Sequence, residues 1–157
     1  MNISRLNNYH YRGARAMVIM HDEYLRECID VWEEFDKSAA KLPVTKDQDY
    51  QSKIHLLRHI LRASRGYMVW TCEMLKLPDP DIPPTPEVDK LQKKYRDYLE
   101  NLLEKWIHPL REVTEDGFFL GVYESRWKKP YTIDSMLEHA VMHPLRHTFQ
   151  MRELMKK

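Results

Sequence analysis

The helical character of this chain is clearest in residues 47–75, DQDYQSKIHLLRHILRASRGYMVWTCEML. One set of side chains recurs there at steps of three and four residues, the spacing of a single buried helical face: Tyr50, Ile54, Leu57, Leu61, Ser64, Met68 and Cys72. Thr45 and Asp47 precede the run and are suitable N-caps. The pattern predicts a long helix two from about Asp47 to Leu75, in which Gly66 is the weakest helix former.

Apolar residues at helical spacing predict three more helices, with these bounds: Ala14–Phe35, Pro86 to about Val113, and Ile133 nearly to the C-terminus. Thr85 is the expected cap of helix three, and Thr132 or Asp134 that of helix four. Pro109 should bend the last turns of helix three. The intervening residues 114–131, TEDGFFLGVYESRWKKPY, are irregular and are expected to form a short hairpin or a loop over one end of the bundle.

A proline-rich segment separates helices two and three. Residues 77–86, LPDPDIPPTP, contain five prolines in ten positions. Proline lacks a backbone donor and disfavours helical conformation in the preceding residue, so this segment is expected to be an extended crossover. Four long helices with such connections pack most economically around one core. The chain is therefore expected to be an all-α four-helix bundle, with residues 1–157 forming a single domain.

Composition and charge exclude several classes of function. The 157 residues carry 25 basic and 24 acidic side chains, and a formal net charge of +1 gives no electrostatic basis for binding nucleic acid or an anionic membrane. No apolar run approaches the ~18 residues of a membrane span, and the apolar stretch near the N-terminus is too short for a secretory signal. Cys28 and Cys72 form no CxxC pair and lie on apolar helical faces, which favours a cytoplasmic protein with both thiols in its core.

Histidines recur at helical spacing on two of the predicted helices. His139, His143 and His147 follow one another at four-residue steps on helix four, and His55 and His59 are four residues apart on helix two. Side chains at i and i+4 lie ~6 Å apart, so two imidazoles of one helix can bind one ion at ~2.0–2.1 Å. Facing bundle helices can bring such pairs together. The spacing alone leaves open whether these histidines bind a metal or lie in the surface and helix packing.

Two segments resemble motifs of the DinB-like family. Residues 56–67, LLRHILRASRGY, resemble the family's second-helix motif, with His59 followed by Ala63 and Tyr67. Residues 136–151, MLEHAVMHPLRHTFQM, resemble its fourth-helix signature of two histidines four apart, followed three residues later by glutamine. The order of the predicted helices is similar to that of the family along essentially the whole chain, whereas the specific motifs cover only these two segments.

The resemblance implies an up-and-down bundle, commonly a homodimer, with one metal ligand from helix two and two from helix four. The implied ligands are His59, His143 and His147. His55 and His139 are candidate additional ligands, and Gln150 would orient a ligand from outside the coordination sphere. Histidine-rich ligation suits zinc or nickel, and also ferrous iron, better than calcium or magnesium. The resemblance further suggests a metal-dependent transferase or hydrolase acting on a small thiol-bearing or electrophilic substrate.

Three positions depart from the family's pattern. Pro144 and Ser64 stand where an acidic residue often follows a ligand histidine, and Phe149 stands where a small residue often precedes the glutamine. Pro144 has no amide proton to donate to Ala140, so it should kink helix four between the candidate ligands.

Arginines near the histidines are a second group of candidates. Arg146 lies about 60° round helix four from His143. It could hold a substrate carboxylate or phosphate through paired hydrogen bonds. Arg58, Arg62 and Arg65 on helix two are expected to be solvated or paired with surface glutamates.

Other kinds of site are less compatible with the sequence. The tryptophans are expected to pack in the core and in a dimer interface: Trp32, Trp70, Trp106 and Trp127. Bundle diiron chemistry is excluded because Glu-x-x-His occurs nowhere in the chain, and no CxxCH motif marks haem attachment. The competing hypothesis is a non-enzymatic bundle that works through protein contacts as a stress-response or regulatory dimer.

Overall fold

The computed structural model of the protein describes residues 8–156. This part of the chain contains five α-helices and a two-stranded sheet: α1 (Arg12–Lys37), α2 (Lys53–Leu75), α3 (Val88–Trp106), α4 (Asp116–Phe119), β1 (Tyr123–Glu124), β2 (Pro130–Tyr131) and α5 (Ile133–Met155). The predicted all-α class is confirmed, and the predicted fourth helix is α5. Residues 1–7 and Lys157, which the single-domain prediction also covers, lie outside the described residues.

The predicted start of helix two at Asp47 is wrong, because two local caps divide this segment. The Asp47 carboxylate accepts the backbone N–H of Asp49 at 3.0 Å and begins a 3₁₀ turn, Gln48–Tyr50. The hydroxyl of Ser52 then caps α2, which begins at Lys53. The turn before the helix is therefore a separate element.

Helix three is also shorter than predicted. It begins at Val88 and ends at Trp106. Thr85 does not cap it, since its hydroxyl lies 2.9 Å from that of Tyr98 and forms a hydrogen bond there. Because Pro109 disfavours helical conformation in the residue before it, the helix ends rather than bends.

The last helix, α5, agrees with its predicted bounds. As predicted, the Thr132 side chain caps it by accepting the backbone N–H of Ser135 at 3.1 Å. The helix continues through Pro144 to Met155. The Thr148 hydroxyl donates to the Pro144 carbonyl at 3.0 Å, one turn after the proline.

Helices α1 and α2 pack against α5. Helix α1 lies along α5 over the most extensive helix–helix contact, and α2 packs against both α5 and α3. Large side chains fill the space between them and are fully buried, among them Leu25, Phe35, Leu57, Ile60, Leu61 and Met68. As predicted, Cys28 and Cys72 are buried free thiols. Between residues 8 and 156, no helix is long and apolar enough to cross a membrane.

The irregular segment before α5 forms the short helix α4 and a small hairpin. Strands β1 and β2 pair antiparallel. Ser125 closes the turn between them, because its backbone N–H donates to the Lys129 carbonyl at 2.8 Å. Trp70 Nε1–H donates to the Glu124 carbonyl at 3.2 Å. This bond fastens the hairpin to α2.

His21 is a buried histidine of α1 that the sequence did not single out. Its Nε2 lies 2.9 Å from the Ser64 hydroxyl of α2, and its ring stacks on Trp106 of α3 with centroids 3.7 Å apart. Burial lowers the pKa of His21 from 6.5 to about 3. A neutral imidazole therefore joins three helices in the core.

Folding stability should depend on pH through His21. The unfolded chain binds a proton there below pH 6.5, whereas the lowered pKa of about 3 keeps the folded imidazole neutral, so the free energy of unfolding falls as pH falls through this window. The slope for one such group is about 1.4 kcal/mol per pH unit. Since His21→Phe keeps a stacked ring without the titration, we expect urea denaturation to show a slope smaller by about that amount.

The matched control is His108→Phe, at an exposed histidine, which should leave the slope unchanged. Equal slopes in wild type and His21→Phe would contradict the assignment.

Candidate metal centre

Three imidazoles from α2 and α5 meet between these helices. His59 lies on α2, and His143 and His147 lie one turn apart on α5. One ring nitrogen of each lies within 4.8 Å of the other two, and the Nε2 atoms of His59 and His143 are 3.1 Å apart. Two nitrogens bound to one tetrahedral zinc ion lie roughly 3.3 Å apart. The spacing is therefore close to that of two ligands sharing an ion.

Asp49 fixes the orientation of the His59 ring. Its Oδ2 lies 2.8 Å from His59 Nδ1. A carboxylate can only accept, so His59 Nδ1 carries a proton, and Nε2 is the nitrogen that presents a lone pair in the neutral ring. Arg62 holds the same carboxylate, with Nη2 3.0 Å from each oxygen. Carboxylates that orient histidines in this way raise the basicity of the coordinating nitrogen.

Gln150 fixes the orientation of the His147 ring. Its Oε1 accepts the His147 Nδ1 proton at 3.0 Å. The Tyr50 hydroxyl donates to the same oxygen at 3.1 Å. An amide oxygen can only accept, so the His147 proton is on Nδ1 and Nε2 again carries a lone pair.

Burial keeps the two α5 imidazoles neutral. It lowers the pKa of His143 to about 2, and the nearby His147 and His59 lower this pKa as well. Burial also lowers the pKa of His147 to about 4, although the hydrogen bond to Gln150 acts in the opposite direction. Neutral imidazole is the form that binds metal ions.

Two buried nitrogens of this group have no hydrogen-bond partner among the described residues: His143 Nδ1 and His147 Nε2. An unpaired buried polar atom costs ~1–3 kcal/mol. For His147 the unpaired nitrogen is the one that Gln150 leaves available to a ligand. A bound cation would therefore give this lone pair a partner.

A cavity of about 360 Å³ lies beside the histidines, and His59 and His143 line it. Ala63 and Gly66 line its α2 wall one and two turns after His59, where larger side chains would fill the space. The aromatic part of the wall consists of Tyr67, Trp70 and Trp127. The cavity is thus mainly apolar, with candidate ligands at one end.

The remaining histidine candidates have other partners. His55 Nδ1 lies 2.7 Å from the hydroxyl of Ser52, at the start of α2. The His139 ring packs against Trp127, with centroids 5.3 Å apart. Neither His55 nor His139 belongs to the group of three histidines whose ring nitrogens lie close together.

The arginines and tryptophans differ in part from expectation. Arg146 lines a separate cavity of about 370 Å³ with His139 and His143. Arg62 pairs with an aspartate near the site, and Arg58 pairs with Glu87 at 2.6 Å. Three tryptophans are buried as expected, namely Trp32, Trp70 and Trp106, whereas Trp127 is 43% exposed. Trp70 and Trp127 line the cavity beside the histidines, a role that the sequence did not suggest.

The sequence also did not indicate that Asp49, Tyr50 and Arg126 belong to the site. Asp49 and Tyr50 lie in the 3₁₀ turn, where the sequence predicts the beginning of helix two. Arg126 lies in the segment that the sequence predicts to be a short hairpin or a loop. An acidic residue ten positions before a histidine carries no periodic signal, because the contact depends on how the chain turns before α2.

Comparison with protein-family models, curated proteins and solved structures found no match for this chain. Functional assignment therefore depends on the geometry and chemistry of the site itself.

Replacing Asp49 by asparagine should weaken metal binding. The amide can still accept from His59 Nδ1 but lacks the charge that raises ligand basicity, so we expect the affinity for Zn²⁺ to fall about 10–100-fold. Competition with a chromogenic chelator measures this change. Asp89→Asn, at an exposed residue of α3, removes the same charge elsewhere and should have no effect. Equal affinities for both variants would contradict the role of Asp49.

Proposed function

We propose that this protein binds a divalent transition metal through His59, His143 and His147, and that it is a DinB-like metal protein. Zinc or nickel is the preferred ion, and iron is also compatible with the nitrogen donors. The observation that carries the proposal is the convergence of three imidazole nitrogens within 4.8 Å. The hydrogen bonds of Asp49 and Gln150, which leave lone pairs on the facing nitrogens, support it further.

The proposed activity is that of a transferase or hydrolase acting on a small thiol-bearing or electrophilic molecule. Three protein ligands leave a coordination position for water or a thiolate, as catalytic metal sites require. The cavity beside His59 and His143 supports this, since a substrate there would lie next to the ion. The buried, unpaired Cys28 and Cys72 are in keeping with a cytoplasmic location.

We also propose an up-and-down four-helix arrangement of α1, α2, α3 and α5, and a homodimer formed through α5. The packing of α1 and α2 on α5 supports the arrangement. Met142 and Phe149, 56% and 58% exposed on α5, support a contact with a second copy. The same exposed residues favour the competing function, a metal-free or metal-stabilised dimer with a stress-response or regulatory role.

Metal analysis tests the first proposal directly. Protein purified without a histidine tag and dialysed against Zn²⁺ or Ni²⁺ should retain about one ion per chain, because three imidazoles are held together. His143→Ala should reduce retention at least tenfold. His108→Ala, at an exposed histidine, is the matched control. Less than about a tenth of an equivalent in wild type, unchanged by His143→Ala, would contradict the metal site.

Turnover distinguishes the enzyme from the non-enzymatic dimer. A panel of small thiols can be offered with a chromogenic chloroarene, in which thiolate sulfur displaces chloride. We expect metal-dependent release of chloride that chelation abolishes. His59→Ala should lower the rate about a hundredfold, because it removes a ligand of the ion that would activate the thiol. A rate that is the same with and without metal would favour the non-enzymatic dimer.

A further inference from the structure

Among the described residues, one guanidinium that lines the cavity beside the three histidines has no carboxylate within hydrogen-bonding distance. Arg62 and Arg126 both line this cavity. Arg62 is engaged by Asp49, with Nη2 3.0 Å from both carboxylate oxygens. Within residues 8–156, the carboxylate paired with Arg126 is that of Glu73, at an N–O distance of 3.8 Å, which is beyond hydrogen-bonding range. Arg126 is therefore the cation available to an anionic ligand.

The hairpin turn holds Arg126 beside the cavity. The preceding Ser125 is buried, and its hydroxyl accepts the backbone N–H of Lys129 at 3.0 Å. The following Trp127 packs edge-on against Tyr67 of α2, with ring centroids 6.5 Å apart. Residues on both sides of Arg126 are thus fixed, which lowers the entropy that would be lost on binding a ligand.

Gly66 leaves space next to this guanidinium. A Cβ at position 66 would lie 3.8 Å from Arg126 Nη1, and no other atom outside the helix backbone and its chain neighbours comes within 4 Å. The small side chain of Ala63, one turn earlier on the same wall, continues the space towards His59. A larger residue at position 66 would therefore fill the cavity without disturbing the core.

The rest of the wall is suited to an apolar ligand body. Trp70, Trp127 and Met136 contribute aromatic and thioether surface. The volume of about 360 Å³ falls within the range of small-molecule sites, about 300–1,000 Å³. The Arg126 side chain is 51% exposed, so a ligand carboxylate can reach the guanidinium from solvent while the apolar wall covers the rest of the ligand.

Helix geometry gives the length of such a ligand. Gly66 follows His59 by seven residues on α2. At 1.5 Å per residue this is about 10 Å along the helix axis. A ligand anchored at Arg126 would therefore extend about 10 Å to reach the histidines.

We propose that this cavity binds an elongated organic carboxylate, with its carboxylate on Arg126, its apolar body against Trp70 and Trp127, and its far end at the three histidines. The inference rests on the proposed metal function for the reactive end of the ligand. The carboxylate anchor itself needs no metal, so the two proposals can fail separately.

Calorimetric titration of the Zn²⁺-loaded full chain tests the anchor. The probes are phenylacetate, 3-phenylpropionate and 4-phenylbutyrate, each compared with its uncharged amide. We expect at least one carboxylate to bind at least tenfold more tightly than its amide. Arg126→Gln should weaken binding of that carboxylate at least tenfold and leave the amide unaffected. Lys128→Gln, on the same turn but paired with Glu124, is the matched control and should bind as wild type does.

Gly66→Leu tests the cavity independently. It should weaken binding of both carboxylate and amide at least tenfold. The melting temperature should stay at or above the wild-type value, because leucine is the better helix former, and the metal content should be unchanged. Unweakened binding in a folded Gly66→Leu variant would overturn the location of the ligand.

A second series separates the anchor from the metal. In metal-free His143→Ala protein the carboxylate should still bind and should still depend on Arg126. If binding of the carboxylate requires the metal and is unchanged by Arg126→Gln, the ion rather than Arg126 holds the carboxylate. That result overturns the inference without contradicting the metal site. Equal affinity of acid and amide, or no binding by any of the three acids, also overturns it.

Discussion

The packing of α5 against α1 and α2 is the interaction on which the rest of the structure depends. It buries apolar residues such as Ala140 and Met151, and with them His143 and His147. Burial removes water from both imidazoles and so favours their neutral form. The contact that forms the core therefore also removes water from these candidate ligand nitrogens. Much of the cost of dehydrating them is met during folding rather than at the binding of the proposed ion.

Asp49 connects this core to the surface. One carboxylate accepts from His59 and from Arg62, so the orientation of a partly buried ring is tied to a cation that is half exposed. On α5 the connection is neutral, through Gln150 and the Tyr50 hydroxyl. Both sets of contacts use the 3₁₀ turn before α2. This turn thus supplies a charged partner to one histidine and contributes a hydrogen bond to the partner of another.

Local periodicity was enough to predict α1, α5, the greater part of α2 and the row of histidines His139, His143 and His147 on α5, because helical spacing determines which residues share a face. The family resemblance selected His143 and His147 from that row. The choice of His59 over His55 followed from the family resemblance, and the structure places His55 beside the Ser52 cap instead. The contacts that could not be predicted depend on where the chain reverses its direction. Asp49 reaches His59 because the segment divides at Ser52, and Trp127 and Arg126 reach the cavity because a hairpin folds back onto α2. No periodic spacing of residues in the sequence predicts such contacts.

The bond from Trp70 to the Glu124 carbonyl joins residues 54 positions apart in the chain. The three histidines meet over a longer separation, since His59 and His143 lie 84 positions apart. Each of these contacts closes a long loop, which costs chain entropy before it adds stability. Neither the histidine group nor the wall beside it can therefore form from one local segment, so the complete candidate site exists only on molecules whose distant helices have already docked.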